Sequence, residues 1–156
     1  MKTEGFTLIE IVVSVGIVLA VIGAIIVNYN SYNDRQTLKQ AGLTLKNNLR
    51  FAQTKALSGE KPPSGCTELS GWTVTFAGGT YAIQAQCDPE GSQGPVTSVS
   101  LPASISFSPV PAALTFRTLS QGTTLVSPVT ITVAGFSQTY SLEVSPGGDI
   151  SDIGLQ

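Results

Sequence analysis

The 156-residue sequence contains no histidine and only two cysteines, Cys66 and Cys87. Without histidine there is no Ser-His-Asp or Cys-His catalysis and no metal site that relies on imidazole. The chain carries no phosphate-loop or dinucleotide fingerprint, so the expectation is a protein that is not an enzyme and needs no cofactor. Charge is also scarce: 12% of residues are Asp, Glu, Lys or Arg, and the net charge is −2. That gives no basic surface for phosphates, and no nucleic-acid partner is expected. Four acids, Asp88, Glu90, Asp149 and Asp152, are the sole candidates for a cluster. The spacing of Asp149 and Asp152 after Gly147-Gly148 would suit a weak calcium site, set against the plainer reading of a polar turn and tail. The length suits one modest domain with an appendage and excludes a large two-domain enzyme.

What the sequence does contain is unevenly distributed. Residues 1–61 hold seven of the eight basic residues and four of the ten acids; residues 62–156 hold one base, Arg117, and six acids. All nine prolines lie from Pro62 onward. The reading is a long helix followed by an all-β domain, with the boundary at Ser58-Gly59-Glu60-Lys61-Pro62-Pro63-Ser64-Gly65. No charge occurs between Glu10 and Asp34, and Ile11 to Val27 is almost wholly aliphatic. Together with Phe6 to Ile9, this run would cover ~33 Å at ~1.5 Å per residue, enough for a bilayer core. A cleaved signal peptide fits less well, because a glutamate opens the apolar run and Asn28, Tyr29 and Asn30 follow it. A carboxylate in hydrocarbon costs roughly 3 kcal/mol, so Glu10 either reaches water at an interface or has a partner and a function.

The string Gly5-Phe6-Thr7-Leu8-Ile9-Glu10, followed directly by the apolar run, resembles the prepilin signature of type IV pilins and type II secretion pseudopilins. The resemblance implies cleavage after Gly5 by a prepilin peptidase/methyltransferase, N-methylation of Phe6, and Glu10 as the fifth mature residue. It implies a short cytoplasmic leader and an exported domain. A positive amine on Phe6 of one subunit and the Glu10 carboxylate of its neighbour would neutralise each other, which makes Glu10 an assembly residue. The distribution of basic residues argues the other way: Lys2 precedes the span, whereas Arg35, Lys39 and Lys46 follow it. The resemblance overrides that count. The expected fold class is α+β, pilin-like, with a long N-terminal α-helix, transmembrane in its first half, packed on a C-terminal all-β globular domain. Residues 1–5 are the leader, 6–30 the transmembrane helix, 31–61 the exported part of the same helix and a linker, and 62–156 the β-rich domain. The implied location is the bacterial inner membrane, single-pass, with the C-terminal domain in the periplasm or outside the cell. The implied partners are other pilin or pseudopilin subunits, the processing peptidase and the membrane.

Beyond the apolar run, Leu38, Gly42, Leu45, Leu49, Ala52 and Ala56 recur at steps of four and three, forming one stripe. It would serve as a seam between copies or, better suited to its small residues, as a face against a sheet. Trp72 to Phe76 and Tyr81 to Ala85 alternate around Gly78-Gly79. That predicts a hairpin pairing Phe76 with Tyr81, Val74 with Ile83 and Trp72 with Ala85, all facing the stripe. Further strands are expected near 97–101, 104–108, 113–118, 128–134 and 138–144, in a small sandwich-like pair of sheets, with prolines at strand starts or edges. In that register Cys87 lies opposite Ser70, a few residues from Cys66. An exported domain favours a Cys66–Cys87 disulfide over two separate buried thiols.

The order of Leu49 to Ala56, Gly71-Trp72-Thr73-Val74, Leu114-Thr115-Phe116 with Gly122, and a last hairpin ending in Val144-Ser145-Pro146-Gly147-Gly148 is similar to the GspH/FimT group of minor pseudopilins and minor pilins. The function this implies is a minor pseudopilin of a type II protein secretion system. The alternatives are a minor type IV pilin for adhesion, pilus priming or DNA uptake and, more distantly, a membrane-anchored enzyme.

Overall fold

The computed structural model describes residue 5, residues 7–119 and residues 121–156, and on the first helix it describes side chains at 8–23 and 31–58. The chain divides into two units, Met1–Gln36 and Thr37–Gln156. Helix α1 (Leu8–Ser58) contributes to both. Met1 to Glu4 of the expected leader and Phe6 lie outside the described residues.

The expected membrane-crossing first half of α1 is corrected here. Side chains of α1 are described over two stretches, 8–23 and 31–58. The second, 31–58, carries Asp34, Arg35, Lys39, Lys46, Arg50 and Lys55. Among the described residues no helix is long and apolar enough to cross a membrane. The fold class is corrected with it, from a half-transmembrane helix on a β domain: α1 is described with its side chains over 8–23 and 31–58, neither stretch crosses a membrane, and the C-terminal domain is antiparallel β. The single-pass inner-membrane placement, with its exported C-terminal domain, falls with the span on which it rested.

Among the described residues of the second unit, eight strands form two antiparallel four-stranded sheets. The first contains β1 (Glu68–Ala77), β2 (Thr80–Asp88), β3 (Gly91–Ser100) and β5 (Leu114–Arg117), in the order β3-β2-β1-β5. The second contains β4 (Ile105–Phe107), β6 (Val129–Gly135), β7 (Gln138–Val144) and β8 (Ile150–Leu155), in the order β4-β6-β7-β8. The predicted hairpin register holds: Phe76 pairs with Tyr81, Val74 with Ile83 and Trp72 with Ala85. It shifts at Ser70, where a bulge places Leu69 rather than Ser70 opposite Cys87. Gly71 sits beside that bulge, and a Cβ there would run into the carbonyl of Phe116 on β5. The last strand, β8, lies where the sequence suggested a polar tail.

The helix stripe packs on the sheets. Leu38, Leu45, Leu49, Ala52 and Ala56 are fully buried, in one core with Trp72, Val74, Ile83, Phe116, Val133 and Leu142. The small residues of the stripe allow the close approach: a Cβ on Gly42 would overlap the Tyr140 ring, with Cγ at 2.7 Å. Phe76 and Phe107 meet edge to face at 5.2 Å and join the two sheets. The helix ends where the sequence places its boundary. Gly59 takes a φ of 64°, its N–H donates to the Ala56 carbonyl, and the Glu60 N–H donates to that of Lys55. This pair of bonds closes the last turn and satisfies carbonyls that a helix end otherwise leaves open.

Candidate functional site

The residues of the prepilin-like string lie at the start of α1. Thr7 precedes the first helical residue, and its Oγ1 accepts a hydrogen bond from the Glu10 N–H at 3.3 Å. The Thr7 carbonyl accepts the N–H of Ile11 at 3.3 Å. Thr7 is thus the N-cap and Glu10 the third residue of the helix, the Thr-x-x-Glu spacing of a capping box. The spacing is legible in the sequence as Thr7-x-x-Glu10. The carboxylate of Glu10 sits at the positive end of the helix, where a negative charge is favourable. Ser14 Oγ donates to the Glu10 carbonyl at 2.7 Å one turn later. Gly5, Thr7 and Glu10 are all exposed.

Among the described residues nothing covers the helical stretch 8–23. Its large apolar side chains range from 83% exposed at Leu8 to 48% at Ile22, and they point to every side of the helix. A helix that is apolar all round is a helix to be buried, since each covered aliphatic side chain contributes about 1.5–3 kcal/mol. The second unit shows the opposite condition, with its apolar residues gathered into one core.

Cys66 and Cys87 are joined in a disulfide with a Cα–Cα separation of 5.5 Å. The alternative of two separate thiols is excluded. The bulge at Ser70 and the loop 62–65 bring Cys66 to the end of β2.

The candidate acids are dispersed. Asp152 on β8 pairs with Lys46 on α1 and accepts a hydrogen bond from Tyr140 Oη at 2.9 Å. The Lys46 hydrogen bond holds the Asp152 carboxyl below its usual value, with further lowering from Tyr140 and from the charges of Lys46 and Arg50. Burial and the bond to Asp152 push the Tyr140 hydroxyl up to about 12. Asp149 sits in the turn before β8, where its N–H donates to Ser145 Oγ at 3.0 Å. Glu90 accepts hydrogen bonds from the Thr67 hydroxyl and N–H, which hold its carboxyl low. Among the described residues no three Asp, Glu or Cys side chains lie close enough to hold a metal.

Trp72 is a core anchor: it is 5% exposed and its Nε1 donates to the Glu60 carbonyl at 3.1 Å. Lys55 lies 4.7 Å from its ring centroid and pairs with Glu60. Arg117, the one base of the β domain, borders a recess of about 200 Å³ lined also by Gln53, Phe116, Gly122 and Gly148. Arg117 also borders a wider, more open recess of about 570 Å³ lined by Glu68, Gln86, Thr115 and Gln121, and only the first falls below the ~300 Å³ at which small-molecule sites begin.

No family model matches the chain, and it has no match among curated proteins or solved structures.

Proposed function

We propose that this chain is a structural subunit of a pilus-like filament, and within that class a minor pseudopilin of a type II protein secretion system. The observation that carries the reading is the helical stretch 8–23: apolar on every side, uncovered, and opened by the lone carboxylate of Glu10. Such a stretch gains most when helices of neighbouring subunits surround it. Packed side by side, those helices would bury Glu10 beside the N-terminus of an adjacent copy. Cleavage after Gly5 leaves a positive amine on Phe6, and a buried carboxylate needs such a counter-charge. The β domain then stands outside the helical core as the part that meets other subunits.

The work of this protein, on this reading, is assembly, and its partners are other pilin or pseudopilin subunits and the peptidase that removes residues 1–5. Intact-protein mass spectrometry is expected to show loss of residues 1–5 and one added methyl on Phe6. Glu10→Ala is expected to be cleaved normally and to fail to enter filaments. Normal incorporation of that variant, or a mature protein that keeps Met1, would refute the reading.

A further inference from the structure

Alternation gives the first sheet two faces. Trp72, Val74, Ala85, Leu114 and Phe116 are buried in the core. Thr73, Gln84, Gln86, Thr115 and Arg117 alternate with them and are half-buried or exposed on the other face. On β1, Gly71 pairs with Gln86 of β2 and with Arg117 of β5, so the three residues form one row across three strands. The central member of the row has no side chain, and a Cβ there would strike the Phe116 carbonyl. Gln86 and Arg117 therefore stand on either side of a gap, about 10 Å apart at Cα over two strand spacings of ~4.8 Å. Both line the recess of about 570 Å³, together with Glu68, Ser70, Thr115 and Gln121. The Oε1 of Gln86 accepts a hydrogen bond from Ser92 Oγ at 3.1 Å, so this amide offers its nitrogen as a donor. Among the described residues no ion pair or hydrogen bond engages the Arg117 guanidinium or the Glu68 carboxylate.

We propose that this recess binds an acidic saccharide, a short chain of hexuronate units, with one carboxylate on Arg117. Arg117 is the one base of residues 62–156, and its planar fork matches a single carboxylate through two parallel bonds. Most of the remaining lining is hydroxyl and amide. Such groups both donate and accept hydrogen bonds, as sugar hydroxyls do. The Gln86 nitrogen donates to a sugar oxygen, and the Glu68 carboxylate accepts from a sugar hydroxyl. A phosphate fits less well: it brings a second charge, no second base lines the recess to meet it, and Glu68 repels it. An apolar ligand would leave the polar lining without partners. The recess is open, so much of a bound chain stays in water and the binding is weak. The inference does not depend on the filament reading.

The test titrates the full-length protein with the linear trimer of galacturonate at constant ionic strength and follows the backbone amides by two-dimensional NMR. Saturable shifts are expected at Glu68 to Gly71, Gln86 and Thr115 to Thr118, with a Kd on the order of 1 mM. Arg117→Gln changes an exposed side chain; it is expected to weaken binding at least fivefold while the unfolding midpoint stays put. Arg50→Gln, which removes an exposed base of α1 outside the recess, is expected to leave the affinity unchanged. Maltotriose, a trimer of the same size without carboxylates, is expected to bind at least fivefold more weakly than the galacturonate trimer. The absence of saturable shifts, shifts centred on the bases of α1, an affinity unmoved by Arg117→Gln, or equal affinity for maltotriose would each overturn the proposal.

Discussion

Gly42→Ala is the substitution in which two general rules point in opposite directions and the structure decides between them. In an exposed helix interior, replacing glycine by alanine stabilises by about 1 kcal/mol, because glycine has more backbone freedom to lose. Gly42, however, faces the Tyr140 ring, and an added methyl would overlap three ring carbons. The ring has little room to move away: Tyr140 is 3% exposed and its hydroxyl is bound to Asp152. Either that bond stretches or α1 lifts from the sheet, and overpacking of this kind costs about 1–3 kcal/mol or more. Subtracting the helix gain leaves a net loss of up to about 2 kcal/mol, a fall in Tm of up to roughly 8 °C for a unit of this size. Thermal unfolding followed by far-ultraviolet circular dichroism measures it. Tyr140→Ala supplies the room, so in the double variant the Gly42→Ala cost is expected to vanish or change sign, a coupling of at least ~1 kcal/mol. A Gly42→Ala protein more stable than the parent, with unchanged affinity of α1 for the sheets, would refute the packing argument.

The remaining predictions concern the staples of the second unit. Reducing Cys66–Cys87, which are 21 positions apart, is expected to lower stability by about 3 kcal/mol at most, as chain-entropy loop closure implies. Denaturant titration with and without reductant reads it, and an unchanged midpoint would show that the loop 62–65 is held by packing alone. Asp152 has its pKa lowered in the fold, so its contribution is present above the ordinary aspartate value near ~4 and is lost as pH falls through the lowered folded value. Stability measured from pH 7 down to pH 2 is expected to fall less steeply in Asp152→Asn than in the parent; parallel curves would remove Asp152 from the acid response. Leu49→Ala, at a fully buried site, is expected to cost about 2–5 kcal/mol, and a loss under ~1 kcal/mol would mean that α1 is not part of the core.

The β domain was legible where side-chain alternation and turn chemistry agree. Trp72 to Ala85 is the clearest case, with alternation on both sides of Gly78-Gly79 and a register that holds pair by pair. The stripe from Leu38 to Ala56 was legible because a helical period repeated over six positions has one physical use, burial of a face. The bulge at Ser70 was not, since it is a backbone event without a side-chain signature. Neither was β8: its burial alternation is broken after Ile150, and its acids and glycine look like a tail until Lys46 and Tyr140 are brought to Asp152. The Thr7 cap was in plain view as Thr-x-x-Glu. The apolar run was read as one span from Phe6 to Val27, which its composition allows. Among the described residues no helix is long and apolar enough to cross a membrane, and that overturned the span.

The sequence by itself determined the division of the chain near residue 61, the helix end at Gly59, the buried stripe, the first hairpin and the pairing partners available to two cysteines. Each rests on local chemistry: glycine's access to positive φ, the 3.6-residue and 2-residue periods, and proline's exclusion from helices. The tertiary structure alone decided the strand order of the two sheets, the meeting of Lys46, Tyr140 and Asp152, and the fit of Gly42 against a ring nearly a hundred residues away. These depend on which surfaces meet after collapse. Residues distant in sequence acquire those neighbours through packing, which no local period encodes.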